Sequence, residues 1–166
     1  LLAVCLTAIS CGSATTTNSN SSANAEVPAP KVPGERQPVL VELFTSEGCG
    51  NCPPADRQLA MLEMQQPIAA ADVITLGFHV DYFNDRGWKD EYSDAQFTKR
   101  QQLYAMRLGA ESLFTPQMVV DGQTQFVGGN AARTTEEINE AASADKPDVA
   151  ATANGSTAEV TVTGLP

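Results

Sequence analysis

From Val39 onward, hydrophobic residues occur in short segments with the spacing of a globular domain. The run from Val39 to Phe44 is apolar and β-branched, and the run from Val73 to Val80 has a similar composition, which is typical of buried strands. Between these runs, apolar residues recur at helical spacing as Ala55, Leu59 and Leu62. The pattern therefore predicts a strand, an amphipathic helix and a second strand.

The next part of the pattern predicts a helix followed by a hairpin. Ser93 and Gln96 have the spacing of a capping box, which predicts a helix that begins near them. Two short apolar segments, 118–120 and 125–127, flank Asp121-Gly122, a dipeptide that favours hairpin turns.

A last helix is predicted by Thr134 and Glu137, which again have capping-box spacing. The element order β, α, β, α, β, β, α predicts an α/β, thioredoxin-like fold over residues 38–146, with a mixed sheet and helices on both faces. The turn dipeptide Asn154-Gly155 and the alternating valines after it predict the beginning of a small, incomplete C-terminal β segment over 147–166.

The N-terminal segment has the features of an export signal. Residues 1–10 are apolar with small residues near the end, and Cys11 follows as in a bacterial lipobox, where the signal is cleaved before the cysteine and the thiol is lipidated. Residues 11–37 are rich in Ser, Thr, Asn and Pro, which predicts a disordered tether. We therefore expect an exported bacterial protein, anchored in the membrane through Cys11 on the periplasmic side. An ordinary buried first helix or strand is the alternative.

Charge argues against a nucleic-acid partner. The chain has 20 Asp and Glu but only 10 Lys and Arg, a formal net charge of −10, whereas nucleic-acid binding needs a basic face. No apolar run reaches the ~18 residues of a membrane-spanning helix.

Cysteine provides the candidate chemistry. Of the four cysteines, Cys5 lies in the segment to be removed and Cys11 would be lipidated, which leaves Cys49 and Cys52 in a CGNC motif. A CxxC pair at the start of a helix places the first sulfur near backbone amides and the positive end of the helix dipole, which favours the thiolate. We assign Cys49 as the nucleophile and Cys52 as the resolving thiol. Half of a zinc site and a purely structural disulfide are the alternatives.

Thr115-Pro116 directly precedes the predicted hairpin strand. In thioredoxin folds a cis-proline begins this strand, faces the disulfide and lies where the backbone pairs with a substrate peptide. An ordinary proline at a strand edge is the alternative interpretation.

Four further residues are possible accessories. Glu42 lies within the first strand, where a buried carboxylate could take the proton from Cys52; a solvated position is the alternative. His79 and Asp81, at the end of the second strand, could carry a proton or contact substrate, or form a hydrogen-bonded pair that shapes the loop to Trp88. Trp88 itself could pack in the domain or form an apolar wall for substrate.

Four blocks occur in an order that resembles a known family. They are VELFTSEGCGNCPPAD at 41–56, HVDY at 79–82, GWKD at 87–90 and TPQMVVDG at 115–122. Together they resemble the secreted thioredoxin-like family catalogued as domain of unknown function 1223. The resemblance implies a thioredoxin-like fold and an exported protein with a redox role.

We therefore expect a thiol–disulfide oxidoreductase without a cofactor. Its partners would be protein or small-molecule thiols and an unidentified redox partner. The first alternative is a protein that binds or delivers Cu(I) through Cys49, Cys52 and His79. The second is a non-catalytic adhesion or assembly module.

Overall fold

The computed structural model describes residues 36–165, except the side chains of Arg86 and Asn154. The predicted signal, Cys11 and nearly all of the tether therefore lie outside the described residues. The elements are β1 Gln37–Thr45, α1 Pro53–Gln65, β2 Ala71–His79, a 3-10 turn Asn84–Arg86, α2 Ala95–Arg107, β3 Gln117–Val120, β4 Thr124–Val127, α3 Ala131–Ser143, β5 Asp148–Asn154 and β6 Thr157–Thr163.

Four strands form one mixed sheet in the order β2-β1-β3-β4. β1 is parallel to β2 and antiparallel to β3, and β3 is antiparallel to β4. A parallel βαβ unit followed by an antiparallel hairpin, with helices on both faces, confirms the predicted thioredoxin-like fold. The strands β5 and β6 form a separate hairpin.

The alternation of β1 defines two faces of the sheet. Val39, Val41 and Leu43 point to α1 and α3, and we call this side the α1/α3 face. Glu42 and Phe44 point to α2, and we call this side the α2 face. The α1/α3 face is packed with aliphatic residues, namely Val39, Val41, Leu43, Ala55, Leu62, Ile68, Ala71, Val73, Met118, Val120, Ile138 and Ala142.

Both predicted capping boxes are wrong. The N-cap of α2 is Asp94, whose carboxylate accepts from the second helical amide, while the Ser93 hydroxyl donates to the Asp90 carbonyl at 2.7 Å. α3 begins four residues earlier than expected because Asn130 caps it, and Thr134 is buried inside the helix. In α2 the adjacent Asp94 takes the cap in place of Ser93, and in α3 the cap is Asn130, four residues before Thr134.

Both predicted hairpin turns are confirmed. Asp121 and Gly122 have φ values of 47° and 65°, the left-handed conformation that a tight hairpin turn requires. Gly155 has φ 62° between β5 and β6. Within residues 36–165, no helix combines the length and apolar character needed to cross a bilayer.

Candidate active site

Cys49 and Cys52 form a disulfide where β1 leads into α1, with an S–S distance of 2.07 Å. Cys52 is the N-cap of α1 and Pro53 follows it, where the missing amide hydrogen of proline costs nothing. The Cys49 amide donates to the Ser46 carbonyl at 3.0 Å, and the Cys52 amide donates to the Cys49 carbonyl at 3.1 Å. These bonds fold the CGNC segment into a compact turn above the end of the strand.

The two sulfurs differ in access. Cys49 is 5% exposed and Cys52 is completely buried, so an incoming thiol reaches Cys49 first. The Thr115 hydroxyl lies 3.3 Å from the Cys49 Sγ and can donate a hydrogen bond to it. This geometry favours Cys49 as the cysteine that reacts with substrate. Its sulfur would be attacked by a substrate thiol in one direction and would attack a substrate disulfide in the other.

The amides of the first helical turn are less available than the sequence suggested. Pro53 and Pro54 have no N–H, and the amides of Ala55 and Asp56 both donate to the Cys52 carbonyl, at 2.9 and 3.1 Å. The donor that contacts the Cys49 sulfur is therefore a side chain from the loop before β3.

Thr115-Pro116 is a cis peptide bond, as predicted. The buried Pro116 accepts a bond from the Gly128 amide at 2.9 Å, which joins the two ends of the β3–β4 hairpin. A Cβ on Gly128 would lie 2.9 Å from the Cβ of Ala55 and 3.2 Å from Leu43 Cδ1. Glycine at this position therefore lets the hairpin approach the start of α1 closely.

His79 pairs with Asp90 rather than with Asp81, which corrects the prediction. The His79 Nδ1 lies 2.7 Å from Asp90 Oδ2, whereas Asp81 accepts a bond from the Thr98 hydroxyl at 2.6 Å. Because β2 ends at His79, Asp81 already belongs to the following loop and turns toward α2. Asp81 is thus a structural residue of that loop.

Asp90 connects this loop to the turn before the disulfide. The carboxylate is 1% exposed and accepts bonds from the amides of Glu47 at 2.8 Å and Tyr92 at 3.0 Å. Burial raises the pKa of Asp90, but the hydrogen bonds from Glu47, His79 and Tyr92 outweigh it, so the pKa lies below its ordinary value of 3.8. Asp90 is therefore ionised at neutral pH.

Trp88 lies beside the site and does not pack in the core. Its side chain is 62% exposed, and its Nε1 donates to Glu47 Oε2 at 2.9 Å. This bond holds the indole against the turn that leads to Cys49. The exposure of Trp88 excludes the predicted packing in the core of the domain.

Glu42 is fully buried, but the structure does not bring it to the cysteines. It lies on the α2 face, where Arg100 Nε bonds one carboxylate oxygen at 2.6 Å and the Tyr104 hydroxyl donates to the other. Burial and the bond to Glu42 raise the pKa of Tyr104 to about 12. α1 and its N-cap Cys52 lie on the opposite face, so the predicted proton transfer from Cys52 to Glu42 has no support in the contacts.

A buried chain of glutamine side chains supports the loop that carries Thr115. Gln101 of α2 donates to the Phe114 carbonyl at 2.8 Å and to Gln117 Oε1 at 2.9 Å. Gln117 donates in turn to Gln125 at 2.5 Å, and Gln101 also accepts from the Tyr82 hydroxyl at 3.2 Å. One buried side chain, Gln101, thus joins the loops on two sides of the site.

The alternative copper site is not assembled. Among residues 36–165, no group of three histidine, cysteine, aspartate or glutamate side chains is arranged to hold a metal ion. The two sulfurs are bonded to each other, and His79 is directed to Asp90.

Asp90 and Gln101 are the site residues that the sequence analysis missed. Asp90 lies in the same GWKD block as Trp88, so the block itself was the available signal. Gln101 carries no such signal, because a glutamine on a helix is ordinarily exposed.

Comparison with known proteins places the chain in a family. The model of the family described as protein of unknown function (DUF1223) matches residues 40–165. A protein of Agrobacterium tumefaciens, whose X-ray crystal structure was determined by a structural genomics consortium, is similar with a TM-score of 0.65 and 30% identity over 77% of this chain. This chain spans 57% of the length of that protein. No curated protein matches. The match over most of the chain shows that the protein belongs to the DUF1223 family.

Proposed function

We propose that this protein is an exported thiol–disulfide oxidoreductase that exchanges its Cys49–Cys52 disulfide with protein or small-molecule thiols. One observation carries the proposal. The disulfide lies at the start of α1 with Cys49 as its more exposed residue, and the Thr115 hydroxyl is 3.3 Å from the Cys49 sulfur. A structural disulfide has no need of a hydrogen-bond donor directed at one sulfur, whereas an exchanging one gains a donor for its thiolate.

The exchange proceeds in two displacements. A substrate thiolate attacks the Cys49 sulfur, the bond to Cys52 breaks, and Cys52 leaves with the electron pair as a thiolate. A second substrate thiolate then attacks the substrate sulfur of the mixed disulfide and releases Cys49 as a thiolate. Two electrons pass to the protein, and an unidentified redox partner takes them up when it restores the disulfide.

The same two sulfurs also support the opposite direction. A Cys49 thiolate attacks a substrate disulfide, and Cys52 then attacks the Cys49 sulfur and releases the reduced substrate. In both directions Cys49 forms the mixed disulfide, and the Thr115 hydroxyl donates to the sulfur when it carries negative charge.

Trapping of the mixed disulfide tests the proposal. In Cys52→Ser the resolving thiol is absent, so the reduced protein should accumulate a covalent adduct with a disulfide-containing peptide, visible by mass spectrometry and removed by reductant. The matched control is Cys49→Ser, in which the remaining thiol is buried and should form little adduct. Equal adduct formation in the two variants, or none in either, would contradict the assignment.

We also propose that the protein acts outside the cytoplasm and is anchored through Cys11. The apolar segment before Cys11 and the polar tether after it support this, and disulfides persist in oxidising compartments. Expression of the full gene in a bacterial host with a labelled fatty acid should give a labelled protein in the membrane fraction. Cys11→Ser should lose the label. An unlabelled wild-type protein in the cytoplasmic fraction would contradict the anchor.

A further inference from the structure

A buried carboxylate orients a histidine at the sheet edge that carries the CGNC turn. We infer that His79, oriented by Asp90, takes the proton from the incoming substrate thiol and returns it to Cys49. This inference rests on the proposed exchange reaction and adds to it the residue that activates the substrate.

Strand register places His79 at the site. His79 and Thr45 are neighbours in the parallel pairing of β1 and β2, and both end their strands. The turn that carries Cys49 begins at the next residue after Thr45, and the Val80 amide donates to the Thr45 carbonyl at 2.9 Å. Because parallel strands present their carboxyl ends at the same edge of a sheet, the imidazole and the CGNC turn share that edge.

A single oxygen atom joins the imidazole to the turn. Asp90 Oδ2 lies 2.7 Å from His79 Nδ1 and 2.8 Å from the Glu47 amide, which is two residues before Cys49 in the chain. The carboxylate therefore fixes the position of the ring relative to the segment that carries the reacting sulfur.

The same contact fixes the tautomer of His79. An ionised carboxylate only accepts hydrogen bonds, so Nδ1 carries a hydrogen, and in the neutral form of the ring the lone pair is on Nε2. The His79 side chain is 28% exposed and Asp90 is 1% exposed, so the ring is accessible from solvent while the group that orients it is enclosed. A base held by a buried carboxylate through its second nitrogen is the arrangement by which enzymes activate hydroxyl and thiol groups.

The neighbouring carboxylates other than Asp90 are bonded to other partners. The titratable groups on the neighbouring elements include Asp90, Tyr92, Glu47, Asp94 and Asp56, and also Asp81, which accepts from the Thr98 hydroxyl. The Tyr92 ring packs on the imidazole with 5.6 Å between the ring centroids. Glu47 Oε2 accepts a hydrogen bond from the indole of Trp88. The Asp94 carboxylate caps α2, and the Asp56 carboxylate of α1 accepts from the Thr45 hydroxyl at 2.7 Å. The carboxylate that contacts the ring is Asp90.

The proton balance is complete with one histidine. The first substrate thiol gives its proton to Nε2 as its sulfur bonds to Cys49 and the bond to Cys52 breaks. The second substrate thiol displaces Cys49 from the mixed disulfide, and Cys49 takes the proton back from the imidazolium. The proton of the second thiol passes through solvent to the Cys52 thiolate. Histidine ends neutral, and two thiols have become one disulfide.

A comparison of two attacking thiols with full-length His79→Gln tests the inference. A cysteine peptide, whose thiol pKa is about 8.5, is mostly protonated at pH 7 and needs a base; an acidic aromatic thiol is already ionised and needs none. We expect His79→Gln to slow reduction of the disulfide by the peptide about 10-fold, within the ceiling of about 30-fold set by the roughly 3% of thiol already ionised at pH 7, and to change the rate with the ionised thiol less than about 2-fold. The matched control, Asp81→Asn, should keep both rates.

Chemical rescue separates proton transfer from a structural role. Added imidazole should restore the peptide rate of His79→Ala and leave its rate with the ionised thiol unchanged. Equal losses with the two thiols, or no rescue, would show that His79 only holds the turn, and the inference alone would fail. A wild-type disulfide that reacts with both thiols no faster than a simple dialkyl disulfide would instead overturn the proposed function, and this inference with it.

Discussion

The two faces of the sheet are filled in different ways. The α1/α3 face is packed with aliphatic side chains, whereas the α2 face buries Glu42, Gln101 and Gln117 among aromatic rings. Burial of apolar surface is non-directional and stabilises the fold, while buried hydrogen bonds fix directions. The comparison teaches that the α1/α3 face supplies most of the stability, while the α2 face largely fixes the positions of side chains and loops. The disulfide lies at the end of the sheet, where both sides contribute.

Ile138→Ala should have the largest effect on stability. Ile138 is completely buried on the α1/α3 face, so its truncation leaves a cavity and should lower the free energy of unfolding by about 2–5 kcal/mol. Urea denaturation measures this loss. The exchange rate per folded molecule should be unchanged, because α3 carries none of the groups at the disulfide. A loss below about 1 kcal/mol would contradict the role assigned to this face.

Glu42→Gln should have the next largest effect. It removes the charge that Arg100 and Tyr104 contact, and hydrogen bonds to charged groups contribute about 1.5–3 kcal/mol. Because Arg100 is 45% exposed and can turn to water, we expect a loss of about 2–3 kcal/mol in urea denaturation. The exchange rate should stay within about twofold of wild type. A tenfold slower exchange without loss of stability would restore Glu42 as a proton acceptor for Cys52.

Asp90→Asn should cost about 2 kcal/mol at pH 7, with a defined pH dependence. The pKa of Asp90 is lowered in the folded protein, so its contribution is fully present above the ordinary value of 3.8 and is lost as the pH falls through the lowered folded value. Urea denaturation at several pH values should show the difference between wild type and variant shrinking below pH 3.8. A difference that is constant with pH would contradict an ionised, hydrogen-bonded Asp90.

Gly128→Ala should have the smallest effect on stability and should act where the hairpin meets α1. Overpacking against Ala55 costs about 1–3 kcal/mol, and the stiffer unfolded chain returns about 0.4–1 kcal/mol, so we expect a net loss of about 1 kcal/mol. The control is Gly77→Ala, whose nearest contact, Leu59, is at an ordinary 3.8 Å. Equal free energies of unfolding in the two variants would contradict the claim that the close approach of Gly128 to Ala55 requires glycine.

The fold could be predicted because its signals are local. The apolar run of β1, the CGNC motif at the start of α1 and the Asp121-Gly122 turn each depend on a few neighbouring residues. The capping boxes at Ser93 and Thr134 failed for the same reason: another local candidate, Asp94 or Asn130, took the cap, and capping-box spacing alone does not decide between candidates.

The contacts within the site depend on the path of loops and were harder to predict. The partner of His79 is Asp90, eleven residues away, because the loop after β2 folds back; the residue two positions along, Asp81, turns toward α2. The burial of Glu42 could be predicted because β1 is a central strand. Whether Glu42 can exchange a proton with Cys52 depends on which face of the sheet it occupies. The alternation of side chains along β1 does not reveal which of the two faces α1 covers.

The reduction potential of the Cys49–Cys52 pair tests the central claim most directly. Thioredoxin-fold pairs that exchange have potentials between about −270 and −120 mV, and we expect this pair in that range. Thr115→Val, which removes the donor to the Cys49 sulfur, should destabilise the reduced form and lower the potential by about 30 mV or more. A wild-type potential below about −300 mV, unchanged in Thr115→Val, would show a structural disulfide and contradict the account.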